Sequence, residues 1–130
     1  MTKILVVDDE RIVLESCRRV LGERYDVSLA KSADEAMELM SREPLSLILL
    51  DIKMPGMDGM RLMRQVKEKW PEIPVIIMSG YVTNETMQEV AKTDAATFLA
   101  KPFTPDELVQ AVHQVITKEK GHGQEESAGH

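Results

Sequence analysis

Acids, a hydroxyl and an ammonium stand at the ends of short apolar runs in this chain. Leu47 to Leu50 ends on Asp51 and runs at once into a turn rich in Pro and Gly, Ile52-Lys53-Met54-Pro55-Gly56-Met57-Asp58-Gly59. Ile4 to Val7 ends on Asp8-Asp9-Glu10, Val75 to Met78 on Ser79-Gly80, and Thr97 to Ala100 on Lys101-Pro102. Apolar runs this short beside turn residues fit strands buried on both faces. An acid at the lip of such a strand is a nucleophile, a metal ligand or a helix cap. Three carboxylates drawn together repel each other unless a hard cation sits among them. Mg²⁺ suits that role, since it favours oxygen ligands and is often shared between carboxylates and a phosphate. One carboxylate oxygen then stays free to attack phosphorus. The Lys101 ammonium and the Ser79 hydroxyl would answer the charge on the phosphoryl oxygens. An ionised Asp needs no separate general base.

The elements that must position these groups follow from patterning. Ile4 to Val7 reads as strand one. Arg11 to Leu21 carries Val13, Cys17, Val20 and Leu21 at helical spacing, with Gly22 as a stop. Tyr25 to Ala30 alternates as a half-exposed edge strand. Ser32 and Glu35 form a capping box that opens a helix with Ala36, Met37, Leu39 and Met40 inward. Leu45 to Leu50 is strand three. Asp58 and Gly59 open a helix striped by Leu62, Met63 and Val66, and Asp58 reads as its cap. Pro74 to Ser79 is strand four. Asn84 to Lys92 is a weaker helix with Met87, Val90 and Ala91 as its mixed face. Thr97 to Ala100 is strand five. Thr104-Pro105-Asp106-Glu107 is a second capping box, with Pro at the first helical position. The last helix runs to about Thr117 on Leu108, Val109, Val112, Val115 and Ile116. Residues 118–130 have no apolar face and read as a polar flexible tail or linker, leaving 1–117 as one domain. Five strands alternating with five helices imply a parallel sheet covered on both faces. Asp8, Asp9 and Asp51 would then converge at the switch point.

Composition narrows the function classes. A net charge of −6 argues against direct nucleic-acid binding, which calls for a basic face. One cysteine, Cys17, forbids an internal disulfide and suits a reducing compartment. No apolar run approaches a membrane span. The expectation is a cytoplasmic protein whose core is aliphatic, since only 4% of residues are aromatic.

Four motifs taken together resemble the receiver domain of the two-component response-regulator family over residues 3 to about 117. They are Val-Asp-Asp-Glu (7–10), Leu-Asp-Ile-Lys-Met-Pro-Gly-Met-Asp-Gly (50–59), Ser-Gly-Tyr (79–81) and Ala-Lys-Pro-Phe (100–103). The resemblance implies a doubly wound (βα)5 flavodoxin-like sandwich with strand order 2-1-3-4-5. It implies that Asp51 is phosphorylated by a histidine kinase and that Asp8, Asp9, Asp51 and the Lys53 backbone carbonyl hold Mg²⁺. It further implies that Ser79, with Gly80 beside it, and Lys101 bind the phosphoryl group. Phe98 would change rotamer on activation, and Lys101–Pro102 would be cis. The expected partners are a sensor histidine kinase or phosphotransfer protein, an output domain or protein, and a phosphorylation-dependent dimer on the face of helix four, strand five and helix five. No turnover of an external substrate is expected.

Lys53, Phe98 and Tyr81 depart from the commonest family pattern. Lys53 brings a second ammonium to the site mouth, and together with the bulky Tyr81 it is expected to tune the aspartyl-phosphate lifetime. Glu10 reads as a partner of Lys53 or an acceptor for a metal-bound water. The bland alternatives are helix capping for Asp8 and Asp9, core filling for Cys17 and the methionines, and a surface position for His113. The rival functions are a phosphorylation-independent interaction module and a small Mg²⁺-dependent phosphohydrolase. A hydrolase of the haloacid-dehalogenase type would need a second Asp where Lys53 stands.

Overall fold

The computed structural model describes residues 2–54 and 57–128; Pro55 and Gly56 of the expected turn lie outside them, as does His130. Five parallel strands form one sheet: β1 (Lys3–Val7), β2 (Asp26–Ala30), β3 (Leu47–Asp51), β6 (Val75–Ser79) and β7 (Thr97–Ala100). Their order is β2-β1-β3-β6-β7, which is 2-1-3-4-5 when these five alone are counted. Two further strands, β4 (Lys53–Met54) and β5 (Met57–Asp58), pair antiparallel just after β3. This short hairpin is not foreshadowed by any apolar alternation.

The pleat sorts the sheet into two cores, because successive side chains point to opposite faces. Leu5, Val7, Ile48, Leu50, Val75 and Ile77 meet α2 (Ala33–Arg42), α3 (Gly59–Lys69) and α4 (Asn84–Ala91) on one side. Ile4, Val6, Leu47, Leu49, Ile76 and Met78 meet α1 (Arg11–Leu21) and α5 (Pro105–Ala128) on the other. Burial on both faces is why β3 and β6 read as continuous apolar runs rather than alternating ones.

The helix ends follow local chemistry. The Ser32 hydroxyl accepts from the Glu35 N–H at 3.1 Å, while the Glu35 carboxylate accepts from the Lys31 N–H at 3.1 Å. The Thr104 box is fully reciprocal, with Glu107 N–H to Thr104 Oγ1 at 3.1 Å and Thr104 N–H to Glu107 Oε1 at 2.8 Å. Asp58 Oδ1 accepts from the N–H groups of both Met60 and Arg61 at 3.1 Å, so it caps α3 as read from sequence. Gly59 follows it under a different constraint. A Cβ there would lie 2.3 Å from the Ile52 Cα and 2.7 Å from the Asp51 carbonyl oxygen. Both are main-chain atoms that cannot swing aside.

Some details differ from the sequence reading. In α1 the fully inward residues are Leu14, Cys17 and Leu21, with Val13 and Val20 flanking them half-buried. In α4 Met87 and Ala91 face solvent, and the helix buries Thr86 and Val90 instead. The Thr86 hydroxyl bonds the Thr83 hydroxyl at 3.1 Å, which lets a polar residue occupy an inward position. The helical backbone of α5 continues to Ala128, past the last residue of its apolar stripe at Ile116. Backbone hydrogen bonds within a helix need no tertiary partner.

Candidate functional site

The carboxyl edges of β1, β3 and β7 bring three charged side chains to one point. The alternation along β3 to its last residue, and along β1 and β7 carried one residue further, decides this. Asp8 keeps the parity of Ile4 and Val6, Asp51 that of Leu47 and Leu49, and Lys101 that of Leu99. All three therefore lean to the α1–α5 side of the sheet. The Lys101 ammonium lies 2.6 Å from Asp8 Oδ2 and 2.7 Å from Asp51 Oδ2. It also reaches Glu10 Oε1 at 3.2 Å. The Asp8 side chain is wholly buried and that of Asp51 is 4% exposed, so each carboxylate is cut off from water and needs its partner.

Backbone donors fix the remaining oxygens. Asp8 Oδ1 accepts from the Glu10 N–H and Asp51 Oδ1 from the Lys53 N–H, each at 2.9 Å. Asp8 thus does not cap α1; the N-cap is Glu10, whose side chain makes no cap hydrogen bond. Burial pushes the Asp8 carboxyl above the ordinary aspartate value, against the pull of Lys101 and the Glu10 N–H. Burial works against the Lys101 ammonium too. There the hydrogen bonds to Asp51 and Asp8 win, and its pKa rises above the ordinary lysine value.

Asp8, Asp9, Glu10 and Asp51 each offer a carboxylate oxygen, and these oxygens all lie within 4.8 Å of one another. The set is entirely hard oxygen, which fits Mg²⁺. Glu10 belongs to it, and the unbroken acidic run 8–10 was the signal for that. Its side chain pairs with Lys101, not with Lys53 as one of the sequence readings had it. The Lys53 ammonium instead faces Glu89 of α4 at 3.6 Å.

The remaining sequence candidates sit around this cluster. Ser79, at the end of β6, is fully buried, and its hydroxyl accepts from the Tyr81 N–H at 3.0 Å. The Tyr81 side chain projects outward, with the residue 60% exposed. Gly80 is exposed, and a Cβ there would meet only Lys101 Cβ at 3.9 Å, an ordinary contact. Phe98 is half-buried and packs on the α2–α4 core, the face that Ser79 shares by parity. The Lys101–Pro102 peptide is cis.

Comparison with known proteins agrees with this geometry. Residues 4–113 match the family of response regulator receiver domains. The chain is 40% identical over 114 residues to the hydrogenase transcriptional regulatory protein HoxA of Cupriavidus necator, covering 87% of this chain and 24% of HoxA. It is 33% identical over 121 residues to the response regulator MprA of Mycobacterium leprae, covering 91% of this chain and 52% of MprA. It therefore spans about a quarter of the one and about half of the other. A CheY-like receiver domain protein from Methanospirillum hungatei superposes with a TM-score of 0.87 at 28% identity, covering 94% of this chain and 98% of that one. A parallel sheet in the order 2-1-3-4-5, an acidic cluster at its carboxyl edge and a family match over nearly its whole globular length lead to one conclusion: the chain belongs to the response regulator receiver domain family.

Proposed function

We propose that the chain is a phosphorylation-activated signalling switch with Asp51 as its phosphoacceptor. The observation that carries the reading is the Lys101 ammonium held 2.6 and 2.7 Å from two buried carboxylates that come from different strands. Such an arrangement costs desolvation that a purely structural core would avoid. Asp51 Oδ2 would form a bond to phosphorus as the bond to the donor nitrogen of a histidine kinase breaks, with that electron pair leaving on the donor. Asp8, Asp9, Asp51 and the Lys53 backbone carbonyl would hold Mg²⁺, which when bound supplies counter-charge to the carboxylates and the phosphoryl oxygens. Lys101 would move from pairing Asp8 and Asp51 to pairing the phosphoryl group. Ser79 would turn its hydroxyl toward the new oxygens, and Phe98 would turn into the space vacated.

The phosphoryl group adds roughly two negative charges at Asp51. The face formed by α4, β7 and α5 would carry that change to an output domain, an output protein or a second copy of the chain. Residues 118–130 would link to such an output domain, and the natural setting would be the cytoplasm. The chain would catalyse only its own phosphorylation and dephosphorylation.

Labelling with acetyl phosphate, read by intact mass, tests the proposal. A phosphoryl adduct is expected on the wild type with Mg²⁺, and none with EDTA or on Asp51→Ala. An adduct that persists on Asp51→Ala would refute the assignment. No adduct from acetyl phosphate, a panel of histidine kinases or beryllofluoride would favour a phosphorylation-independent interaction module.

A further inference from the structure

The Lys53 main chain has little freedom. Its N–H is bonded to Asp51 Oδ1, and it pairs with Asp58 across the β4–β5 hairpin. Only the side chain can choose a partner. On one side stands the phosphoacceptor two residues away; on the other stands Glu89, one helical position before Val90, the apolar residue that anchors α4 in the core. Asp58, its partner across the hairpin, turns Oδ1 to two N–H groups of α3, and the ion pair the Lys53 ammonium makes is with Glu89 at 3.6 Å.

We propose that the Lys53–Glu89 ion pair is a latch between the phosphoacceptor loop and α4. The inference rests on Asp51 as phosphoacceptor and adds a route to α4 separate from that through Ser79 and Phe98. Charge added at Asp51 competes with Glu89 for the Lys53 ammonium. When the phosphoryl group wins, α4 loses a tether at its carboxyl half. Glu89 is a positioning residue in this scheme: it touches no reacting atom and acts by holding Lys53 away from the phosphoacceptor. Both side chains are somewhat over one-third exposed, so the tether is weak enough for a doubly charged group to break.

The test is the affinity for beryllofluoride in the presence of Mg²⁺, measured calorimetrically for the wild type, Glu89→Gln, Lys53→Met and the double variant. Glu89→Gln is expected to bind about 1.4- to 5-fold more tightly than the wild type, the range that exposed ion pairs cover. In the Lys53→Met background the same substitution is expected to change nothing. The tightening should shrink as salt rises, because exposed pairs are screened. A second readout uses the unliganded protein, where amide resonances of residues 84–91 in Glu89→Gln should shift toward their positions in the beryllofluoride complex. Equal affinities for the wild type and Glu89→Gln, or an undiminished effect in the Lys53→Met background, would overturn the latch alone. Failure of the wild type to take up beryllofluoride at all would remove the phosphoacceptor assignment and the latch with it.

Discussion

Replacing Lys101 by Met should destabilise the protein, and the structure limits by how much. The substitution keeps an unbranched side chain one atom shorter and removes the cation lying 2.6 Å from Asp8 and 2.7 Å from Asp51. Breaking a buried pair from one side costs about 3–5 kcal/mol. A second limit applies here, since a stranded carboxylate can take up a proton instead of remaining charged. Protonating one aspartate at pH 7 costs about 4 kcal/mol, from an ordinary value near 3.9 and 1.36 kcal/mol per unit. Asp8, already pushed upward by burial, is the group that would take it. The expected loss at pH 7 in EDTA is therefore about 3–4 kcal/mol.

At pH 5 the same limit falls to about 1.5 kcal/mol. The sign is fixed by linkage. A carboxyl whose folded pKa is raised binds more protons folded than unfolded, so stability falls as pH rises from its unfolded value through its folded one. Lys101 in the wild type is also raised, but its contribution is fully present below 10.5 and is lost only as pH rises through its higher folded value. It is thus constant between pH 5 and 7. Urea denaturation of both proteins at both pH values measures the difference. Mg²⁺ at ten times its dissociation constant should restore about 1.4 kcal/mol to the variant, through mass action on the folded state. A loss under about 1 kcal/mol at pH 7, or an equal loss at pH 5, would refute the argument that these carboxylates depend on Lys101.

Other perturbations have equally definite outcomes. Burial pushes the Cys17 thiol up to about 12, so at pH 8 only about one molecule in ten thousand carries a thiolate. Labelling by a disulfide reagent should then follow unfolding, and rapid stoichiometric reaction of the native protein would contradict this. Asp58→Ala should cost about 1 kcal/mol in urea denaturation by removing the α3 cap, whereas Asp58→Asn should cost clearly less. Gly59→Ala should cost at least about 2 kcal/mol, because the new methyl meets the main chain of Asp51 and Ile52 and nothing there can yield cheaply. Lys53→Asn and Tyr81→Ala should each change the dephosphorylation rate of the phosphorylated protein several-fold, measured by loss of the adduct in intact mass. Unchanged rates in both would remove these two residues from control of the attacking water.

How much was legible in the sequence depended on how local each interaction is. The bounds of α1, the Ser32 and Thr104 caps and the Asp58 cap rest on residues within four positions of one another, and they appear where the pattern put them. The convergence of Asp8, Asp51 and Lys101 was legible because the ends of neighbouring parallel strands meet by topology. The partner of Lys53 was not, since it depends on where α4 lies against the sheet, and Glu10 was as plausible by position as Glu89. The inward face of α4 was misread for a chemical reason: Met87 outranks Thr86 in hydrophobicity, yet a threonine whose hydroxyl is satisfied by Thr83 can be buried. The hairpin of β4 and β5 left no signal, because two residues per strand are too few to show a period.

The unequal anchoring of the helices has a calorimetric consequence. α3 sinks Leu62, Met63 and Val66 into its core, while α4 contributes only Val90 among buried apolar residues. Lifting α4 would expose on the order of 200 Å² of apolar surface, the ~100 Å² that one valine buries and a matching area of the core beneath it. At about 0.45 cal/K/mol per Å², that is a heat-capacity change of roughly 0.1 kcal/mol/K. Unfolding a chain of this size changes it by about 1.5–2 kcal/mol/K. A transition led by α4 should therefore have an equilibrium constant whose van't Hoff plot is nearly straight, even though the stability curve of the whole domain is strongly bent.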